Sequence, residues 1–155
     1  MEAQLAKIGD LLVVAFREEL KEQGHFLTGR LNRSIEARIR TNIVQIFAND
    51  YALYLDSGVK PNRIPFGGGG GKSSQYIQGL MAYAMQRFKV NAKEATKIAF
   101  AIANVQKRQG MPTKRSFRFS KNGKRTGFIE AGVQKVESQI LDILISIEDE
   151  ITFEL

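Results

Sequence analysis

The chain contains no cysteine and no tryptophan, and only one histidine and three prolines in 155 residues. The missing cysteines exclude structural disulfides, thiol catalysis and cysteine-ligated zinc, and a single histidine cannot build a multi-histidine metal site. The N-terminus has no basic segment followed by an apolar one, and the apolar run at residues 11–16 is far too short to span a bilayer. We therefore expect neither secretion nor membrane insertion.

What the chain does contain is typical of an ordinary globular protein, with 43% hydrophobic and 25% charged residues. Its length predicts one domain over residues 1–155. The formal net charge of +7 favours polyanionic partners but says nothing about the fold.

Hydrophobic spacing outlines the N-terminal part of the chain. Apolar residues at steps of three and four predict an amphipathic helix over residues 2–23, with Gly24 as its left-handed cap. The period then changes to two, which predicts two antiparallel strands over 35–40 and 43–48, joined near Thr41. A short helix over 51–57, ended by Gly58, should follow the sheet.

The middle of the chain combines a glycine-rich stretch with two helical patterns. Residues 59–73 include two prolines and five consecutive glycines at 67–71, which predicts a flexible exposed loop. Apolar stripes then predict helices over 77–88 and 92–109, the second stopped by Gly110 and Pro112.

The C-terminal part predicts an arm and a long helix. Phe117 and Phe119 alternate before Asn122-Gly123, a strong hairpin signal, so we expect an exposed β-hairpin arm over 111–127. Apolar spacing from residue 129 onward predicts a long terminal helix. The predicted fold is therefore α+β, a small antiparallel sheet packed with long N- and C-terminal helices and two middle helices, plus the exposed arm.

Two sequence patterns could indicate a catalytic site, but neither has the residue spacing that such a site needs. The glycines before Lys72 and Ser73 resemble a phosphate-binding loop, but Phe66 stands where such a loop needs its first glycine. A loop leading into a helix capped by Ser73 or Ser74 explains this stretch better. His25 is read as a loop histidine with local hydrogen bonds, and the carboxylates show no paired spacing. We expect no enzyme activity, no cofactor, no metal and no small-molecule substrate, with nucleotide hydrolysis through Lys72 and Ser73 as the weakest alternative.

Residues 107–125 contain basic and aromatic residues and no acidic one. The members are Lys107, Arg108, Lys114, Arg115, Phe117, Arg118, Phe119, Lys121, Lys124 and Arg125. Three interpretations stay open. The segment could be an arm that docks on acidic surfaces of neighbouring subunits, a solvated arm, or a nucleic-acid contact. The two phenylalanines favour the docking arm. Acidic residues near the C-terminus, among them Glu148 and Glu154, would permit head-to-tail contact between copies.

Two short motifs carry the most specific signal. They are Thr-Gly-Arg-Leu-x-x-Ser-Ile and Tyr-Ala-x-Tyr-Leu-Asp-x-Gly, with the residues Thr28, Gly29, Leu31, Ser34, Ile35, Tyr51, Ala52, Tyr54, Leu55 and Gly58. Their order around a strand pair resembles the tail-completion, or head–tail connector, family of tailed bacteriophages. A later Pro-x-x-x-x-Phe, at Pro112 and Phe117, followed by Phe128 and Ala131, loosely resembles a further family feature.

The resemblance implies a non-catalytic virion protein of the phage neck. Such a protein forms a ring, commonly of six copies, between the portal-bound adaptor and the tail terminator or tube, and DNA passes through its lumen. Its partners would be its own copies and these neck and tail proteins, with non-specific DNA contact as a further option. We hypothesise that the glycine loop and the basic arm order on contact with neighbours, which would gate assembly. A stand-alone nucleic-acid-binding protein acting through residues 107–125 is the alternative.

Overall fold

The computed structural model describes residues 1–67 and 74–153 and has the predicted α+β character. Its α-helices are α1 (Glu2–Glu22), α2 (Arg30–Ser34), α3 (Ala52–Ser57), α4 (Gln75–Phe88), α5 (Ala92–Gln109) and α6 (Phe128–Phe153). Its strands are β1 (Glu36–Arg40) and β2 (Ile43–Phe47), and two 3₁₀ helices cover Pro61–Arg63 and Lys114–Phe119. The predicted long terminal helices, strand pair and middle helices are therefore confirmed.

The chain divides into two compact units. The first unit comprises Met1–Asp56 and Phe119–Leu155, and the second comprises Ser57–Arg118. The prediction that residues 1–155 act as one domain stays a prediction.

The first unit is built on the packing of α1 against α6 and the sheet. Phe16 of α1 and Phe128 at the start of α6 meet edge to face, with ring centroids 6.2 Å apart. Leu20 is fully buried in the same cluster, as the helical spacing of apolar residues in α1 predicts. Burial of these large side chains is the main stabilising term of the unit.

The sheet is a two-stranded antiparallel hairpin with one face on the core. Ala37 pairs with Ile46, and both pack against the cluster around Phe16. On the opposite face, Arg38 pairs with Gln45. This alternation of inward and outward residues is the period of two that the sequence shows.

The second unit is a pair of packed helices. Ile77 of α4 meets Ala99 and Ala103 of α5, and all three side chains are fully buried. The Ser74 hydroxyl accepts a hydrogen bond from the Ile77 N–H at 3.2 Å, so one of the two predicted caps of α4 is confirmed. The short side chains of α5 let the two helices approach closely.

The predicted β-hairpin arm over 111–127 is wrong. Lys114–Phe119 forms a 3₁₀ helix, and the residues between it and α6 form bends without a strand. Successive residues of a 3₁₀ helix are about 120° apart, so Phe117 and Phe119 do not share a face as they would in a strand. Alternation over three residues was too short a signal to separate the two structures.

The predicted exposed loop over 59–73 is wrong at its start. Val59 forms an isolated bridge with Met111, and Ile64 is only 2% exposed. Phe66 packs on Tyr76 and Phe100. The glycine-rich part of that prediction, together with Lys72 and Ser73, falls mainly on residues 68–73, outside the described residues.

Candidate interaction surfaces

The first motif, residues 28–35, folds into a short helix that one arginine fixes to α1. Gly29 opens α2 with a φ of 71°, a conformation that glycine adopts without strain. Arg17 of α1 donates from Nε to the Asn32 carbonyl at 3.0 Å and from Nη2 to the Ile35 carbonyl at 2.8 Å. These two bonds satisfy carbonyls at the end of α2 that lack a helical partner. Spacing alone indicated neither α2 nor the role of Arg17.

Hydrogen bonds join the first motif to the start of the second. The Ser34 hydroxyl donates to the Leu31 carbonyl at 2.8 Å and accepts from the Asn49 N–H at 3.1 Å. Tyr51 forms a hydrogen bond with the Leu31 backbone, and burial raises the pKa of its hydroxyl despite that bond. Residues 15 and 20 positions apart in sequence are thereby held together.

The same motifs supply core side chains. Leu31, Ile35 and Ala52 are buried in the cluster that contains Phe16, and Leu55 packs against it. Thr28 accepts a hydrogen bond from the nearby Arg30 N–H at 3.2 Å, and Gly58 follows α3 with a φ of 74°. Four residues of the two motifs, Leu31, Ile35, Ala52 and Leu55, therefore contribute to the core of the first unit.

Three large side chains at the start of α3 remain exposed, Tyr51 just before the helix and Leu53 and Tyr54 within it, and we name them the α3 patch. Tyr51 is 43% exposed, Leu53 67% and Tyr54 61%. The helix has only six residues, and its Ala52 and Leu55 face the core. Much of the apolar side-chain area of the second motif is therefore left exposed by the chain. Exposed apolar area of this kind is typical of a contact surface.

The outer face of the sheet is a second exposed surface in the first unit. Ile43 and Phe47 of β2 are exposed there, and the Arg38 guanidinium lies 4.5 Å from the centre of the Phe47 ring. The sheet has only two strands, so each strand has an edge without a strand neighbour among the described residues. Such edges offer backbone groups for pairing with another chain.

Part of the predicted interaction segment is bound to the end of α1. Arg125 donates to the Gln23 carbonyl, and the Lys121 N–H donates to the Glu22 carbonyl at 2.6 Å. Gln23 in turn donates from its side chain to the Thr126 carbonyl at 3.1 Å. Arg125, one of the predicted interaction residues, therefore has a contact within the chain.

A buried carboxylate lies beneath this segment. Glu19 accepts from Lys135 Nζ at 2.7 Å, from Gln23 at 2.9 Å and from Asn122 at 2.7 Å. Burial alone would raise the pKa of Glu19, but these three donors outweigh it and hold the pKa below its usual value. The Glu19 carboxylate therefore has an ammonium partner and two amide donors, as expected for a buried structural ion pair.

The His25 ring is hydrogen-bonded within the chain, but to a residue 100 positions away and not to the local partners that the sequence predicts. Its Nε2 lies 2.9 Å from the Arg125 carbonyl, which can only accept, so Nε2 carries the proton. Burial, and then the charge of Arg125, lower the pKa of the imidazole to about 4. The ring is therefore neutral at physiological pH.

The remaining candidates of the basic segment belong to two different units. Lys107, Arg108, Lys114, Arg115, Phe117 and Arg118 are exposed residues of the second unit, whereas Phe119, Lys121, Lys124 and Arg125 belong to the first unit. Of the latter, Lys121 and Lys124 are exposed and Phe119 is half-buried. The interpretation of residues 107–125 as a single arm therefore does not describe the folded chain.

Charge is distributed very unevenly between the units. The second unit contains twelve Lys and Arg residues against one acidic residue, Glu94, a formal net charge of +11. The other eleven basic and fifteen acidic residues lie in the first unit, whose net charge is −4. The overall charge of +7 conceals this separation.

Residues 1–67 and 74–153 include no cluster of three or more His, Asp or Glu residues arranged to hold a metal ion. No helix in the same ranges combines the length and apolar character needed to cross a membrane.

Comparisons with known proteins gave no match: no family model, no curated protein and no solved structure is significantly similar to this chain.

Proposed function

We propose that this protein is a structural subunit of the neck of a tailed bacteriophage. In this role it forms a ring, commonly of six copies, that joins the DNA-filled head to the tail and has no enzymatic activity. Its neighbours are other copies of itself, the portal-bound adaptor and the tail terminator or tube. The proposal starts from the resemblance of the two motifs to the tail-completion family.

The α3 patch is the observation that carries the proposal. The second motif places Ala52 and Leu55 in the core but leaves Tyr51, Leu53 and Tyr54 exposed. These large side chains are exposed on a short helix, next to the first motif, which hydrogen bonds hold in place. This arrangement favours a role in contact between subunits.

A gene disruption tests the proposal in the phage that encodes the chain. Without the protein, electron microscopy of lysates should show filled heads and complete tails that are not joined. Purified wild-type virions should contain several copies of the protein at the joint. Joined particles in the absence of the protein, or virions that lack it, would contradict the proposal.

Complementation with variants tests the α3 patch itself. Tyr54→Ser should fail to restore joined particles, whereas Tyr54→Phe, which keeps the apolar area, should restore them. Val14→Ser is a matched control, because Val14 is an exposed apolar residue of α1 outside both motifs. All three variants should keep the thermal stability of the wild type, because each substituted side chain is exposed.

Nucleic-acid binding through residues 107–125 is retained as the alternative function. The exposed cations of this segment, among them Lys121 and Lys124, favour it, whereas Arg125 already donates to the Gln23 carbonyl. Duplex binding that disappears with substitution of Lys121 and Lys124 alone would support this version.

A further inference from the structure

We propose that the second unit carries a binding site for the phosphate backbone of duplex DNA, on the exposed side of α5. We name this site the α5 basic face. It consists of Lys93, Lys97, Lys107 and Arg108, extended by Lys114 and Arg115 at the start of the 3₁₀ helix. The site includes residues outside the segment 107–125.

The four cations of α5 occupy one side of the helix. At about 100° per residue, Lys93, Lys97, Lys107 and Arg108 fall within an arc of about 100°. The buried side chains of α5, among them Ala99 and Ala103, lie on a neighbouring side and pack on α4. Half-buried Phe100 falls within the arc of the cations and packs on Phe66. The fold of the unit therefore turns the positive side of α5 toward solvent.

The second unit cannot neutralise these cations itself. Its only acidic residue, Glu94, lies in the first turn of α5, where it also interacts favourably with the helix dipole. Lys93, Lys97 and Lys107 have no carboxylate partner within the described part of the chain. Their charge is available to a polyanion.

The 3₁₀ helix adds two exposed cations close to the end of α5. The Lys114 N–H donates to the Gln109 side-chain oxygen at 3.0 Å, which fixes the start of the 3₁₀ helix to the last residue of α5. Lys114 and Arg115 are both exposed. Six cations are thereby held by ordered backbone rather than by a free tail.

The chemistry of the face favours DNA over a protein partner. The exposed residues of α5 are charged, amide-bearing or alanine, and none is a large apolar side chain. A protein interface needs an apolar centre, whereas contacts with a DNA backbone are polar and strongly positive. The α5 basic face has the polar, strongly positive composition of a surface that contacts DNA.

The size of the face also fits a phosphate backbone. From Lys93 to Arg108 the helix rises about 22 Å, and a DNA strand carries one phosphate per about 3.4 Å of helix axis. Several phosphates can therefore lie along the face at once. If about five are neutralised, the logarithm of the binding constant should fall with the logarithm of salt concentration with a slope of about −4.5.

Fluorescence anisotropy with the full-length protein and a labelled random duplex of about 30 base pairs tests the proposal between about 50 and 200 mM salt. The triple variant Lys93→Gln/Lys97→Gln/Lys107→Gln should bind at least about tenfold more weakly at 50 mM salt, with a slope shallower by about 2.7. The matched control Lys7→Gln/Lys21→Gln/Arg33→Gln removes the same charge from exposed positions of the first unit and should stay within about twofold of the wild type.

Three results would overturn the proposal. The first is no duplex binding by the wild type at about 50 mM salt, and the second is an equal loss in the two triple variants. The third is displacement of DNA by polyglutamate as effectively as by unlabelled duplex at equal charge, which would indicate an acidic protein partner. The neck role does not depend on this site, so failure here and failure of the gene-disruption test are separate outcomes.

Discussion

The ammonium group of Lys135 lies 2.7 Å from the carboxylate of Glu19, and Glu19 is only 1% exposed. Lys135 belongs to α6 and Glu19 to α1, so the pair joins the two long helices of the first unit. Asn122 donates to the same carboxylate, which brings the loop before α6 into the network. One buried charge thus connects three segments that are distant in sequence.

Removing the lysine should destabilise the first unit. Lys135→Met leaves the Glu19 carboxylate buried without its cation, and the free energy of unfolding should fall by about 3 kcal/mol. Denaturant unfolding at neutral pH measures the change. Lys124→Met removes the same charge from an exposed position and should change stability by less than about 0.5 kcal/mol. Equal effects of the two substitutions would contradict a role for the pair.

Asp56 should contribute to stability as the cap of α6. Its Oδ1 accepts from the Ile129 N–H at 2.9 Å, and its carbonyl accepts from the Gly127 N–H at 2.8 Å. Asp56→Ala should cost about 1 kcal/mol because the first turn of α6 loses its acceptor. Asp56→Asn keeps an acceptor oxygen and should cost less. If the two variants unfold at the same denaturant concentration, the side-chain cap contributes nothing measurable.

His25 should make stability depend on pH between about 4 and 6.5. The pKa of the folded state is lowered to about 4 by burial and Arg125, so the unfolded chain binds the proton more tightly. The stabilisation is complete above the unfolded pKa of about 6.5 and is lost as pH falls toward 4, by about 1–2 kcal/mol after allowance for solvent screening. His25→Gln retains an N–H donor and should flatten the unfolding profile in this window. An unchanged profile would contradict the assignment.

Gly24 should tolerate substitution much less well than Gly123. Both have a φ near 74°, but a Cβ on Gly24 would lie 2.2 Å from the Phe119 carbonyl oxygen, whereas one on Gly123 meets nothing within 4 Å. Gly123→Ala should cost about 1 kcal/mol of backbone strain, and Gly24→Ala about 3 kcal/mol or more because the segment after Phe119 must move. Thermal unfolding of both variants distinguishes a docked segment from a free one. Similar melting temperatures would argue against docking.

The fold could be predicted wherever local spacing agreed with local packing. The limits of α5 follow from Asn91, whose side chain caps the first turn, and from Gly110, which ends the helix with a φ of 78°. The sheet register follows from alternation on either side of Thr41. The arm over 111–127 could not be predicted in this way, because its conformation depends on Glu22 and Gln23, about a hundred residues away.

The candidate surfaces show the same division. The motif residues were identified by their order in the sequence, yet the hydrogen bond from the Asn49 N–H to the Ser34 hydroxyl and the exposure of Tyr54 appear only in the folded chain. The basic segment was identified by composition, but Lys93 and Lys97 were missed as partners of Lys107. The helical periodicity of α5 places Lys93, Lys97 and Lys107 on one side of the helix.

The sequence by itself determined the α+β character, most element boundaries and the lack of cysteine chemistry, because these depend on residue type and short-range spacing. The tertiary structure alone decided that Glu19 is paired with Lys135, that Arg125 is bound to the end of α1, and that the charge is divided into a unit of +11 and one of −4. The physical reason is that burial, ion pairing and the grouping of charges depend on contacts between residues far apart in sequence. The local periodicity of the sequence does not determine those long-range contacts.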